Sequence, residues 1–284
     1  MLVVAVAFAA CKHDGGPFTT APIPTAGFRY VNLMPDRAAV DIRMIDAVTL
    51  ATSTFGATFR TGGSPNGVTT VFMPPHLATA AGDHVVKVFW TSTNPDTAQM
   101  VVLTDTVSLT AGINYTFYAY GYVTAGQTPH VQGFVTADTA PDPTTGVAFR
   151  ALHLAPAGVP ANVDVFINAS GTATPSGTPT FANVGLGTFT GYQSVATGAW
   201  QAQVTPVGTP ATVTATAVAP AGVAGSLTVN PPLDPIAGTT QAGSSITAVI
   251  VPPSLAGSTA PQTAAFLTPT VLFLIDRNPP RITP

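Results

Sequence analysis

Two stretches decide how this chain is read: FRYVNLMPDRAAVDIRM, from Phe28 to Met44, and FRALHLAPAGVPANVDVFI, from Phe149 to Ile167. Both open on Phe-Arg, as Phe28-Arg29 and Phe149-Arg150. Val31 and Leu33 match Leu152 and Leu154, Pro35 matches Pro156, and Val40-Asp41-Ile42 matches Val163-Asp164-Val165. The correspondence continues outward. AGDHVVKV (Ala81 to Val88) matches TGAWQAQV (Thr197 to Val204), and LTAGINYTFYAYG (Leu109 to Gly121) matches TTQAGSSITAVIV (Thr239 to Val251). Order and approximate spacing are kept. The repeat far exceeds the roughly 20–50 residues of a solenoid unit, so the chain carries a duplicated domain. The copies span residues 27–140 and 146–284, with a Pro-marked linker, DTAPDPTTG, from Asp138 to Gly146.

Inside each copy the apolar residues recur with period two, the pattern of a half-buried strand. Trp200, Ala202 and Val204 share one face, and Gln201 and Gln203 the other; Tyr115, Phe117 and Ala119 alternate with Thr116, Tyr118 and Tyr120. The first copy's strands are expected around Val31, Ile42, Val71, Val88, Val107, Phe117 and Val135. Those of the second are expected around Leu152, Val165, Tyr192, Ala202, Val213, Ala248 and Leu272. Short strands at this spacing predict an all-β protein of two tandem Ig-like antiparallel β-sandwiches.

Composition agrees. Only 7% of the 284 residues are charged; Glu is absent, and Lys12 and Lys87 are the only lysines. Solvent-facing helices need such residues on their outer face. The chain is rich in Thr and Val instead, which branch at Cβ and suit strands. A net charge of −3 without a basic cluster argues against nucleic-acid binding, which depends on neutralising phosphates.

The single cysteine, Cys11, rules out an internal disulfide. It follows the apolar run MLVVAVAFAA, which is too short to span a bilayer and reads as part of an export signal. Ala9-Ala10-Cys11 resembles a bacterial lipobox, with Phe8 where Leu is favoured. Cys11 is therefore the expected lipidation site, residues 1–11 the signal segment and residues 12–26 a Pro-rich tether. The alternatives are cleavage after Ala7-Phe8-Ala9, without a lipid, and an ordinary buried cysteine.

These residues resemble a bacterial family, the domain of unknown function 4397. Its opening is similar to Arg150, His153, Pro156, Val163 and Asp164 here, and to Arg29, Pro35, Asp36, Val40 and Asp41, with Asn32 at the His position. Gly82, Gly198 and the strand Ala111-Gly112-Ile113-Asn114-Tyr115-Thr116 extend the resemblance over nearly everything from residue 27 onward. Between Val204 and Thr239 the second copy departs from it, with an insertion rich in Ala, Pro and Gly. The resemblance implies an exported, often lipid-anchored β-sandwich protein without assigned chemistry.

No motif of known chemistry emerges. The twelve acidic residues are all Asp, many in turn contexts. There is no G-x-S-x-G elbow, no zinc-ligand spacing among His13, His76, His84, His130 and His153, and no phosphate-binding glycine loop before a helix. His84 aligns with Trp200, which suggests a semi-buried strand position. Linker acids Asp138 and Asp142 could touch a calcium ion, but calcium wants six to eight oxygens. The sharpest polar signal is the repeated pair Arg29/Asp41 and Arg150/Asp164, with His153 beside it. An arginine fork suits tying neighbouring carbonyls or its own repeat's Asp. The expected function is therefore a non-catalytic structural or binding module of the cell envelope. It has no cofactor or metal, attaches to the membrane through a lipid, and serves a surface polymer or protein partner. A hydrolase of surface polymers and a carrier of a small apolar ligand are the alternatives.

Overall fold

The computed structural model describes residues 23–45, 58–63, 74–229 and 231–282. Cys11, the signal segment, most of the tether and the strand expected around Val71 lie outside the described residues. Among those described the protein is all-β, with a one-turn helix at Pro95–Ala98 and a 3-10 turn at Ala264–Phe266.

Each half is a sandwich of an outer and an inner sheet. In the first half the outer sheet runs β3 (Thr58–Gly63), β2 (Val40–Ile45), β5 (Gly82–Trp90), β6 (Val101–Leu109). Its inner sheet runs β4 (Leu77–Ala80), β1 (Thr25–Leu33), β7 (Asn114–Tyr120), β8 (Gln132–Ala137). The second half has an outer sheet of β11 (Phe181–Gly185), β10 (Asn162–Ala169), β14 (Trp200–Pro206), β15 (Ala215–Val218). Its inner sheet runs β12 (Thr188–Phe189), β9 (Val147–His153), β16 (Ser245–Val251), β17 (Thr270–Arg277), with β13 (Gln193–Val195) also on β9. Pairing is antiparallel except that β1 runs parallel to β7 and β9 parallel to β16. Neither Tyr192 nor Val213 centres a strand; Tyr192 lies in the short gap between β12 and β13.

Each half has its own core: Phe28, Tyr30, Ile42, Val88 and Phe117 in the first, Phe149, Val165, Val204, Ala248 and Phe273 in the second. A third core joins them. Val31, Leu33, Tyr118 and Tyr120 from one inner sheet pack with Leu152, Val249, Val251, Leu272 and Leu274 from the other. The protein is therefore four sheets deep, and the central strands of both inner sheets, β1, β7, β9 and β16, are buried on both faces.

This changes the reading of the period-two pattern. Thr116, Tyr118 and Tyr120 were expected on the free face of a half-buried strand, but they form the interface between the halves. Gln201 and Gln203 are also buried. Their amides donate to the Thr172 carbonyl at 2.5 and 2.9 Å, so the loop after β10 covers that outer face. Alternation records which residues share a face, but not whether water meets it.

Candidate functional site

At one end of the third core, between the same two inner sheets, lies a cluster of four charges, built twice over from equivalent positions. In the first half, Arg29 stands on β1 and Thr116 beside it on β7, in parallel register. The first half's last strand delivers Asp138 just past the end of β8. In the second half Arg150 on β9 stands beside Thr247 on β16 in the same parallel register, and Asp276 lies near the end of β17. Each Arg Nε donates to its neighbouring threonine hydroxyl at 2.6 Å. Each threonine in turn donates to the Asp of its own half: Thr116 to Asp138 at 2.5 Å, Thr247 to Asp276.

The guanidinium tips then cross between the halves. Arg29 donates through Nη2 to Asp276 at 2.5 Å and through Nη1 to the Ile275 carbonyl at 2.6 Å. Arg150 donates through Nη2 to Asp138 at 2.5 Å and through Nη1 to the Ala137 carbonyl at 3.3 Å. Each arginine thus reaches the acid, and the carbonyl just before it, at the end of the other half's last strand. Arg29 also lies 3.3 Å from Asp138, and Arg150 Nε 3.8 Å from Asp276. A third residue completes each acid's set. His76 Nε2 lies 2.9 Å from Asp138, and the Tyr192 hydroxyl donates to Asp276 at 2.8 Å. His76 immediately precedes β4 and Tyr192 immediately precedes β13, strands that pair with β1 and β9.

Two positive and two negative side chains cancel here. Both carboxylates have side-chain exposures of 0%. Burial by itself would raise the Asp138 pKa; the His76 hydrogen bond and the Arg29 and Arg150 charges outweigh it and hold Asp138 at about 2. Burial likewise opposes the charge on both arginines. The adjacent aspartates, Asp276 foremost, overcome this and raise Arg29 and Arg150 above the ordinary range. Burial pushes the Tyr192 and Tyr118 phenols up, and the nearest aspartates push the same way. A buried ion cluster of this kind does little for stability compared with well-packed apolar residues, but removing one member of it is costly, because a charge is then left buried without its partner.

The structure corrects the sequence reading of the arginines' partners. Asp41 and Asp164 are not among them. Asp41 accepts from Thr91 at 2.6 Å. Asp164 accepts from the backbone N–H groups of Asn183 and Gly208, both at 2.9 Å, tying β10 to its flanking loops. The repeated Val-Asp is therefore an outer-sheet feature, remote from the arginine. The linker acids are not set for calcium either, because Asp138 is consumed by the cluster and Asp142 accepts from Arg277 at 2.6 Å. Among the described residues no group of three or more His, Cys, Asp or Glu could hold a metal.

His153 has a local task. Its Nδ1 accepts from the Ala155 N–H at 3.3 Å and its Nε2 faces the Pro160 carbonyl at 2.9 Å, which places the proton on Nε2. Asn32 makes the same clamp in the first half, accepting from the Met34 N–H at 3.0 Å and donating to the Ala38 carbonyl at 3.4 Å. Burial lowers the His153 pKa. His84 and Trp200 also share a role. The ring nitrogen of each lies 2.8 Å from the carbonyl four residues earlier, Ala80 and Ala196.

Sequence reasoning missed His76, Tyr192, Asp276 and both threonines, and took Asp138 for a linker residue. Part of this was legible. Superposing Ala111-Gly112 on Ala242-Gly243 brings Thr116 onto Thr247, and an Asp stands within one residue of the end of each last strand, in Thr136-Ala137-Asp138 and Leu274-Ile275-Asp276.

On the Arg150 side Phe189 and Tyr192 cover the cluster, their rings 5.8 and 5.0 Å from the guanidinium carbon. On the Arg29 side the cluster borders a cleft of about 640 Å3, lined among others by His76, Pro220 and Ile236. The His76–Asp138 pair has the composition of a base and its orienting acid. No Ser, Thr or Cys stands among the cleft's described lining residues, so these supply no nucleophile of the hydroxyl or thiol type. No family model matches the sequence, and no curated protein matches it.

Proposed function

We propose that this chain is a non-catalytic, envelope-anchored β-sandwich protein, structural or ligand-binding, whose two repeats act as one rigid body, of the kind the 4397 resemblance implies. The observation that carries the reading is the crossed cluster. Each of the two repeated arginines reaches across to the other half's acid and to the carbonyl before it, so the cluster joins the halves. Catalytic acids and bases need an accessible lone pair or proton poised near neutrality. Asp138, held near 2 and fully enclosed, has neither.

A rigid body of this kind, carried on a Pro-rich tether from a lipidated Cys11, would hold its outer sheets and loops at a fixed orientation away from a membrane. A hydrolase of surface polymers is the second reading, favoured by the His76–Asp138 pair at the edge of a cleft. The lack of a hydroxyl or thiol among the described lining weighs against it.

The test is metabolic labelling of the full chain in a bacterial host with a palmitate analogue, followed by membrane fractionation. The wild type should be labelled and sediment with membranes, and Cys11→Ser should lose both properties. Persistent labelling of Cys11→Ser would overturn the anchor. Hydrolysis of envelope polysaccharide or peptide by the purified chain, abolished by His76→Phe, would overturn the non-catalytic reading.

A further inference from the structure

Part of the insertion joins the second half as β15, whose Ala215 belongs to the core, but the described residues of the segment after it, from Pro220 to Ala237, are absent from that core. Beyond β15 the insertion forms a narrow ribbon held by two antiparallel bridges, Val223 with Ile236 and Ser226 with Leu233. Val223 and Ile236 are 57% and 62% exposed. The base of the ribbon is nevertheless tightly built. Thr239 and Thr240 N–H groups donate to the Pro220 and Ala221 carbonyls at 2.8 and 2.9 Å. The backbones approach so closely that a Cβ on Gly238 would sit 2.2 Å from the Gly222 nitrogen. The base is therefore a fixed wall, and it faces Pro74, Pro75 and His76 of the other half across the cleft. The volume, about 640 Å3, falls in the range of small-molecule sites, roughly 300–1,000 Å3, and such sites favour domain interfaces.

The chemistry of the walls narrows the ligand. Arg29 lines the cleft with four of its five N–H groups engaged and its charge matched. Its Nε is on Thr116, its Nη1 on the Ile275 carbonyl and its Nη2 on the two aspartates. The four charges behind it cancel, so a charged ligand would lose its hydration without meeting a net opposite charge. His76 differs. Its Nε2 faces a carboxylate, which only accepts, so Nε2 carries a proton. Its Nδ1 has no hydrogen bond among the described residues, and the side chain is 16% exposed. A hydroxyl both donates and accepts, so it suits Nδ1 in either protonation state. The rest of the described lining is Pro, Val, Ile, Ala and Gly, with Asn278 as one further uncharged polar side chain.

We infer that this cleft binds a small, neutral, mainly apolar molecule with a hydroxyl that pairs with His76. The inference rests on the binding-module reading above and names the site that reading lacks.

The probe is 2-naphthol, titrated into the full chain by fluorescence, with 2-methylnaphthalene and 2-naphthoate as comparators. 2-Naphthol should bind saturably. Loss of its hydroxyl should weaken binding about fivefold, as for one net hydrogen bond, and the naphthoate charge should weaken it at least as much. Ile236→Arg, on the exposed wall, should weaken 2-naphthol binding more than about tenfold with an unchanged melting temperature. His76→Phe should erase the difference between 2-naphthol and 2-methylnaphthalene. Should His76→Phe melt early, Ile236→Arg and the wild-type comparators decide alone. Equal affinity for 2-naphthol and 2-methylnaphthalene, indifference to Ile236→Arg, or no saturable binding would overturn the inference and leave the module reading intact. Release of naphthol from 2-naphthyl acetate, lost in His76→Phe, would instead overturn the non-catalytic reading on which the inference rests.

Discussion

Replacing Arg29 with Met tests the crossed cluster directly, because Met keeps much of the arginine's volume and removes only its donors and charge. Four acceptors lose a partner: Asp276 Oδ1, Asp138 Oδ2, the Ile275 carbonyl and the Thr116 hydroxyl. Asp138 keeps Arg150, His76 and its threonines, whereas Asp276 Oδ1 loses the one donor recorded for it. Two buried carboxylates then share one arginine. Breaking a buried pair by removing one partner costs about 3–5 kcal/mol. For a unit of this size that corresponds to a fall in melting temperature of roughly 6–20 °C.

The location of the cost matters more than its size. Arg29 belongs to the first half but its shortest charged contact is in the second, so the interface should bear the loss. Differential scanning calorimetry should show the whole transition moving down. Hydrogen exchange should accelerate in β16 and β17 as well as in β1. Adding Asp276→Asn should recover about 1–3 kcal/mol, the usual coupling of contacting groups. A change confined to the first half, or one within about 0.5 kcal/mol as for ordinary surface positions, would refute the crossed arrangement and restore the within-repeat expectation.

Two further outcomes follow from the same geometry. Asp138 is held at about 2 in the folded protein, below its ordinary value of about 3.9. Its contribution, at most about 2–3 kcal/mol, should be fully present above pH ~4 and disappear as the pH falls toward 2. Acid-unfolding curves should show that loss in the wild type and not in Asp138→Asn, and identical curves would contradict it. His153→Asn should be tolerated, because Asn32 already performs the same clamp. His153→Ala should cost about 1–3 kcal/mol by leaving the Ala155 N–H or the Pro160 carbonyl unpaired, and equal denaturant midpoints for the two variants would show that the clamp does nothing.

The sequence by itself determined the duplication, the all-β class and most of the strands. These depend on local pattern: period two in Val-, Thr- and aromatic-rich segments, with turn residues between them. It also singled out Arg29 and Arg150, because a scarce residue returning at the same offset stands out against a nearly uncharged background. Their partners were decided only by tertiary structure. Asp138 and Asp276 lie 109 and 247 residues from Arg29, and no spacing rule operates over such distances. The nearer candidates, Asp41 and Asp164, lie on outer sheets and never face the arginines. The solvent-free character of the Thr- and Tyr-bearing face was equally beyond the sequence. A strand buried on both sides alternates in the same way as one with a wet face when its second contact is another amphipathic sheet carrying hydroxyls. Whether that face meets water or its own repeat depends on how the two inner sheets stack, which is a property of the assembled halves and not of either one alone.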